Sequence, residues 1–283
     1  MKSLPTKQKS KRFFSPAKLN LFFRVLDKRL DGYHEIASLY QAIDLFDEIT
    51  IALADRELFS SDSNLFWDSS NLIFQAVRLF EQKIEKPLTL SIELNKKIPM
   101  QAGLGGGSSN AATTLWAVNE LLGFPLKIEE LIELAKKIGS DVAFFFSRGA
   151  ALAKSRGELF QNKKIPSFEA YLAKPTFGMD TKSVYRSLVW DKRTTISPDI
   201  IMKSFQKGEP FFCNDLEKGA FLLNPQLKVF KESLYALGFN KVHLTGSGSA
   251  YFCIGEPHFF PKEGFLQKVY SISRKESSWY GEC

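Results

Sequence analysis

Pro99-Met100-Gln101-Ala102-Gly103-Leu104-Gly105-Gly106-Gly107-Ser108-Ser109-Asn110-Ala111-Ala112 lies between two stretches of regular pattern and decides how the chain is read. Before it, Leu88-Thr89-Leu90-Ser91-Ile92-Glu93-Leu94 alternates over seven positions, which predicts a strand. After it, Asn110 to Leu122 is apolar and alanine-containing and ends at Gly123, which predicts a helix. In a strand, glycine loop, helix order, successive glycines bring backbone N–H groups close to an oligophosphate, and the helix N-terminus adds a favourable dipole. A tight packing turn seldom needs four glycines in five positions, so Gly103, Gly105, Gly106 and Gly107 read as a phosphate loop. It is not a Walker A loop, because no lysine follows the glycines, nor a dinucleotide fingerprint, because Ser108 stands where the third glycine belongs. The uncharged run from Ile98 to Asn119 is long enough to span a bilayer, but Pro99 and the glycines make it a loop leading into a helix.

Around this loop the composition is that of a globular protein with one large core or two ordinary ones: 283 residues, 44% apolar and 24% charged. The net charge of +7 is concentrated at the start, where Lys2, Lys7, Lys9, Lys11 and Arg12 occur with no acid. That stretch reads as a solvated, flexible tail over residues 1–12 rather than a nucleic-acid arm, so neither a nucleic-acid nor a membrane partner is expected. Cys213, Cys253 and Cys283 are widely spaced and odd in number, which excludes a disulfide framework or a structural zinc site. No apolar segment precedes a small-residue cleavage site, since Lys18 interrupts the stretch beginning at Phe13, and a reducing cytoplasm fits best.

Along the chain, helices and strands mix without a strict βαβ rhythm, which predicts two α+β domains dividing near residues 150–165. Ala17, Leu19, Leu21 and Phe23 alternate with Lys18, Asn20 and Arg24, the pattern of a half-buried strand. Asp47 to Leu53 reads as another strand, and Ser69-Ser70-Asn71 offers caps to a helix carrying Leu72, Ile73, Ala76, Leu79 and Phe80. A further helix runs from about Ile128 to Ile138, and Asn224-Pro225 caps another that stops at Gly238. Thr245-Gly246-Ser247-Gly248-Ser249 lies between two short strands and reads as a hairpin connection, with a second phosphate-lining run as the alternative.

Three further groups of residues carry chemical possibilities. Lys18 on a strand face is ordinarily a solvated residue, and Asp141, after Ser140 and before an apolar run, is ordinarily an N-cap. Together they suit phosphoryl transfer: the carboxylate accepts a hydroxyl proton, and the ammonium keeps it ionised and offsets charge on the moving group. Asp31-Gly32-Tyr33-His34-Glu35 sets an aromatic ring and an imidazole on a turn, fitted to stack on and read the edge of a planar base, or simply an exposed turn.

Taken in order, these motifs resemble the superfamily of galactose, homoserine, mevalonate and phosphomevalonate kinases. The loop at 99–112 is similar to that superfamily's phosphate-binding motif. Pro16-Ala17-Lys18-Leu19-Asn20-Leu21, the Asp31-Gly32-Tyr33-His34 turn and Gly139-Ser140-Asp141-Val142 resemble the branch acting on 4-diphosphocytidyl-2-C-methyl-D-erythritol. The resemblance runs from about residue 14 to 254. It implies an α+β fold of an N-terminal ribosomal protein S5 domain 2-like unit over residues 13–160 and a C-terminal ferredoxin-like unit over 161–283, with the site in a cleft between them. It also implies transfer from ATP, with Mg2+, to the 2-hydroxyl of that cytidyl substrate, a step of the non-mevalonate isoprenoid route. By the same resemblance Asp141 is the base and Lys18 its charged partner. Asn20 touches substrate, Tyr33 stacks on cytosine and His34 reads its edge. Pro99, Met100, Gln101, Ala102, Gly103, Leu104, Gly105, Gly106, Gly107, Ser108 and Ser109 wrap the ATP phosphates, Asn71 and Lys96 lie near the nucleotide, and Thr181 lies on the substrate side. Gln101-Ala102 stands where relatives usually carry glycines, and no protein ligand for Mg2+ is identified. A mevalonate-type or homoserine kinase and a non-catalytic RNA-binding protein are the competing expectations.

Overall fold

The computed structural model describes residues 10–260 and 264–281, so most of the basic tail and Cys283 lie outside the described residues. Lys11 and Arg12, expected in that tail, instead open β1 (Lys11–Lys28), where Lys11 pairs with Ile51 and its ammonium meets Glu120 at 2.8 Å. β1 runs antiparallel to β2 (His34–Leu53), joined by a turn in which Gly32 adopts φ +83° and Asp31 accepts from the Tyr33 amide at 3.1 Å. These strands are far longer than the alternation at 17–24 suggested. Register shifts at Pro16/Ala17, Asn20/Phe22 and Val25/Asp27 bend β1, the first where proline has no N–H to give the ladder.

β3 (Leu58–Ser61) pairs with β4 (Leu90–Asn95), and β5 (Ala150–Ser155) and β6 (Leu159–Asn162) extend the other half of β2. α1 (Leu72–Ile84), α2 (Gly106–Leu121) and α3 (Ile128–Ile138) share one core with this sheet, where Phe80, Leu115, Ala135 and Phe144 are buried together. α1 is capped as expected, the Asn71 carboxamide accepting from Ile73 N at 2.9 Å, and α3 ends at Gly139. α2 starts four residues earlier than Asn110, because Gly105 in the left-handed region turns the chain directly into the helix.

The second sheet contains β7 (Glu169–Lys174), β9 (Lys241–Leu244), β10 (Tyr251–Ile254) and β11 (Phe265–Tyr270), in the order β11-β7-β10-β9 and all antiparallel. Around it lie α4 (Thr181–Arg186), α5 (Pro198–Gln206), α6 (Glu217–Leu223) and α7 (Gln226–Ala236), the last begun by Asn224 and Pro225. The two-residue β8 (Cys213–Asn214) pairs with β1, so the later chain also contributes to the first sheet. The architecture is α+β. Because structure covers both faces of β1, its expected polar face is buried: Lys18 is 3% and Asn20 2% exposed.

Candidate active site

A cleft of about 1110 Å³ collects the sequence-predicted residues at one place. Its walls include Lys18, Tyr33, His34, Asn71, Lys96, Asp141 and Thr181, together with the whole loop from Pro99 to Ser108. Asn20 and Ser109 lie behind the wall rather than on it. Ser109 is fully buried, and its hydroxyl finds no partner among the described residues. Asn20 accepts from the Lys18 ammonium at 2.5 Å and donates to Ser38 Oγ at 2.9 Å, so its carboxamide aims Lys18.

The glycine loop is built from chain geometry. Gly103 and Gly105 have φ of +77° and +70°, a region that costs residues with a Cβ. A side chain at 105 would bring its Cβ to 3.0 Å from Lys18 Cγ and 3.2 Å from Phe145 Cζ, so a glycine is needed where the loop crosses the lysine. α2 then begins with no side-chain cap, and the first-turn N–H groups of Gly106, Gly107 and Ser108 have no partner within the helix. Such an end attracts anions. The Thr245–Ser249 connection is a hairpin turn, as read, and it also braces this loop. Ala250 N donates to Ala102 O at 3.1 Å, Asn20 N donates to Thr245 Oγ1 at 2.9 Å, and Gly246 and Ser247 reach the cleft.

At the centre, Lys18 Nζ lies 3.6 Å from Asp141 Oδ2, and the Tyr40 hydroxyl donates to Asp141 Oδ1 at 3.0 Å. Asp141 is not an N-cap: it sits in the turn before the 3₁₀ segment Ala143–Phe146, with its carboxylate a third exposed to the cleft. Burial pulls the Lys18 ammonium below the usual lysine range, against the opposing pull of Asp141. Burial and then the Asp141 charge push the Tyr40 hydroxyl well above its ordinary value, so it stays a proton donor to the carboxylate. The arrangement leaves one carboxylate, flanked by a cation and a neutral hydroxyl, facing the helix end that favours phosphate.

Two flanks extend from this centre. On one, Lys96 forms an ion pair with Asp47, which is fully buried and also accepts from Lys97 N at 2.7 Å and Ile98 N at 2.8 Å. Asn71 lies on the same flank, its carboxamide used in capping α1 and in a bond to Phe66 O at 2.9 Å. On the other, the His34 ring stacks on Tyr185 at 5.1 Å and packs on Trp190 at 5.9 Å, and burial followed by Lys28 lowers its pKa, keeping the imidazole neutral. Tyr33 stays half exposed beneath the Arg156 guanidinium, 5.0 Å from the ring centroid. Thr181 opens α4 and shares a hydrogen bond of 3.0 Å with Ser247.

Tyr40, Asp47, Arg156 and Tyr185 escaped the sequence reading. Tyr40 is embedded in the apolar run of β2 and carries no local signal. Asp47 stands between Asp44 and Glu48 in β2, and nothing local marks it as the one of the three that is buried.

A profile of the GHMP kinases N terminal domain matches residues 71–149, the segment from the α1 cap past the turn that carries Asp141. A 4-diphosphocytidyl-2-C-methyl-D-erythritol kinase of Protochlamydia amoebophila is 44% identical over 271 residues, spanning 95% of this chain and 92% of that protein. The chloroplastic kinase of the same name from Arabidopsis thaliana is 37% identical over 96% of this chain and 76% of its own length. Among solved structures, a 4-(cytidine 5'-diphospho)-2C-methyl-D-erythritol kinase superposes with a TM-score of 0.79 at 30% identity, covering 93% of this chain and all of that one. A homoserine kinase from Cytophaga hutchinsonii matches with a TM-score of 0.70 at 18% identity, over 96% of this chain and 98% of its own, which shows the shared fold alone. With near-full-length identity of this order and the motif residues gathered in one cleft, the chain belongs to the family of 4-diphosphocytidyl-2-C-methyl-D-erythritol kinases.

Proposed function

We propose that this kinase transfers the γ-phosphoryl group of ATP to the 2-hydroxyl of 4-diphosphocytidyl-2-C-methyl-D-erythritol, with Asp141 accepting the hydroxyl proton. The observation that carries the assignment of roles is the Lys18–Asp141–Tyr40 cluster opposite the uncapped start of α2. Asp141 receives the proton, Lys18 holds the carboxylate ionised and offsets charge on the moving group, and Tyr40 fixes the orientation of the carboxylate. The N–H groups from Gly103 to Ser108 hold the ATP phosphates, with Lys96 and Asn71 toward the nucleoside. Tyr33 and Tyr185 offer faces to the cytosine, and neutral His34 presents one donor and one acceptor to its edge.

Mg2+ fits this site as an ion carried by the nucleotide. Among the described residues no group of three His, Cys, Asp or Glu side chains converges on a point, and Mg2+ is usually held by substrate phosphates plus one or two carboxylates. Ser108, on the cleft wall at the start of α2, would hold such an ion together with the phosphates, and the ion would neutralise the phosphate charge. Residues 13–160 are then the ribosomal protein S5 domain 2-like unit and 161–283 the ferredoxin-like unit, with the cleft at their junction and the cytoplasm as the setting. No described helix is long and apolar enough to cross a membrane. The product would then feed isoprenoid synthesis.

The test is incubation of the protein with ATP, Mg2+ and the cytidylated alcohol, with mevalonate and homoserine in parallel, following ADP release and product mass. A gain of one phosphoryl group on the cytidylated alcohol alone is expected. Transfer to mevalonate or homoserine instead overturns the substrate assignment.

A further inference from the structure

The last described residues fold back onto the first sheet, behind the turn that carries Asp141. Ser271 bridges to Ile43, Ile272 N donates to Ala42 O at 2.9 Å, and Gln41 Nε2 donates to Ile272 O at 2.8 Å. The approach is so close that a Cβ on Gly149 would collide with the backbone of Ile272 and Ser273. Trp279 then inserts its indole between Trp116, at 5.3 Å, and Phe146, at 5.4 Å, and donates to Phe14 O at 3.0 Å.

Arg274 is the centre of this segment. It is 8% exposed, and its guanidinium lies 5.4 Å from the Trp279 ring centroid and 5.8 Å from those of Trp116 and Tyr280. One edge of the fork donates to Ser147 O at 2.9 Å and Phe146 O at 2.6 Å, and Nη1 donates to Lys275 O at 3.1 Å and Ser278 O at 2.9 Å. Phe146 and Ser147 end the 3₁₀ segment that begins two residues after Asp141. Carbonyls at the end of a helical turn have no partner inside it, and only a planar five-donor group can satisfy two of them while also closing its own loop. At the front of the same segment, Phe144 packs edge-on against Tyr40 at 5.1 Å, the residue whose hydroxyl holds Asp141.

We propose that Arg274 is a positioning residue for Asp141, clamping the far end of the turn 141–147 so that the carboxylate meets Lys18 and the substrate hydroxyl in register. Residues 271–280 therefore complete the active site without touching either substrate. The inference rests on Asp141 being the proton acceptor. A displacement of about 1 Å at a reacting group costs on the order of 10²-fold in rate, whereas binding surfaces set by the glycine loop and the 31–34 turn are untouched.

The test compares Arg274→Ala with the native enzyme at a temperature well below the unfolding transition of each. The expected result is a fall in kcat of tenfold or more, KM for ATP and for the cytidylated alcohol each within threefold of native, and partial recovery of kcat on adding guanidinium ion at low millimolar concentration. A folded variant with kcat within twofold of native overturns the proposal, as does a loss carried by both KM values with no recovery by guanidinium. If the alanine variant is not recovered folded, Arg274→Lys keeps the charge among the rings but loses the planar fork. A several-fold lower kcat at native KM is expected of it, and unchanged kcat overturns the proposal. Inactivity of the native enzyme, or full activity of Asp141→Asn, would instead remove the reading on which the proposal rests.

Discussion

The hydroxyl of Tyr40 donates to Asp141 Oδ1 at 3.0 Å while Lys18 approaches the other carboxylate oxygen at 3.6 Å. Neither contact is adjacent in sequence: 101 residues separate Tyr40 from Asp141. Tyr40→Phe keeps the ring and its packing on Phe144 and removes only the donor. A hydrogen bond to a charged group is worth about 1.5–3 kcal/mol, so steady-state kinetics should show kcat lowered about 10- to 100-fold with both KM values close to native.

Lys18 gives opposite signs for activity and stability. Its folded-state pKa lies below the ordinary lysine value because burial outweighs Asp141, so between the folded and unfolded pKa values the unfolded chain binds more protons. The burial penalty is fully present below the folded pKa and is relieved as pH rises toward the unfolded one. Lys18→Met should therefore raise Tm at neutral pH, with the gain narrowing as the buffer is taken alkaline, while turnover falls by about 10²-fold or more. In the native enzyme kcat should decline at alkaline pH before an ordinary lysine would deprotonate. Thermal melts and a pH–rate profile on the same preparations check both signs.

Asp47 anchors the chain leading into the glycine loop through two main-chain amides and the Lys96 ammonium. Asp47→Asn keeps an oxygen at Oδ1 for both amides but turns the Oδ2 that faces Lys96 into an amide nitrogen, leaving the lysine without its counter-charge, a change that typically costs about 3–5 kcal/mol when the partner is removed outright. We expect a lower Tm and a KM for ATP raised several-fold, with KM for the cytidylated alcohol unaltered. Isothermal titration with a non-hydrolysable ATP analogue measures the nucleotide effect separately from turnover.

Two glycines of one loop should respond differently to alanine. At Gly105, with φ +70° and Lys18 Cγ 3.0 Å from where a Cβ would stand, Gly105→Ala strains the backbone and displaces the lysine, so kcat should fall at least tenfold. At Gly107 the nearest atom is Leu72 Cδ1 at 3.6 Å. Gly107→Ala should stabilise the free enzyme by up to about 1 kcal/mol through helix propensity, and any rise in KM for ATP then reports how closely the nucleotide approaches that turn. Paired melts and ATP titrations distinguish the two.

His34 should stay neutral below its ordinary pKa, because burial and Lys28 both disfavour the imidazolium. As pH falls through that lowered value the ring gains a second donor and loses its acceptor, so KM for the cytidylated alcohol should rise on the acid side while KM for ATP stays level. His34→Gln should flatten that acid limb.

The glycine loop, the helix caps at Asn71 and Gly139, the 31–34 turn and the α2 and α3 helices were legible because each depends on local geometry: a left-handed backbone, a capping side chain or an apolar period of 3.6 residues. The same locality explains the misreadings. Alternation at 17–24 implied a solvated polar face, yet Lys18, Asn20 and Arg24 are all buried, since a period-two pattern reports only which residues share a face and not what covers it. Asn20, whose carboxamide no sequence pattern ties to Lys18, holds that lysine from the same strand.

By itself the sequence determined the family, the glycine loop and the candidacy of Lys18 and Asp141, since these are carried by short runs whose backbone chemistry is set by adjacent residues. Only the tertiary structure decided that Tyr40 orients the carboxylate, that Asp47 anchors Lys96, and that Arg274 closes the turn behind Asp141 from the far end of the chain. Those contacts join residues separated by 49 to 128 positions, and a buried hydrogen bond over such a separation leaves no periodicity for a sequence to display.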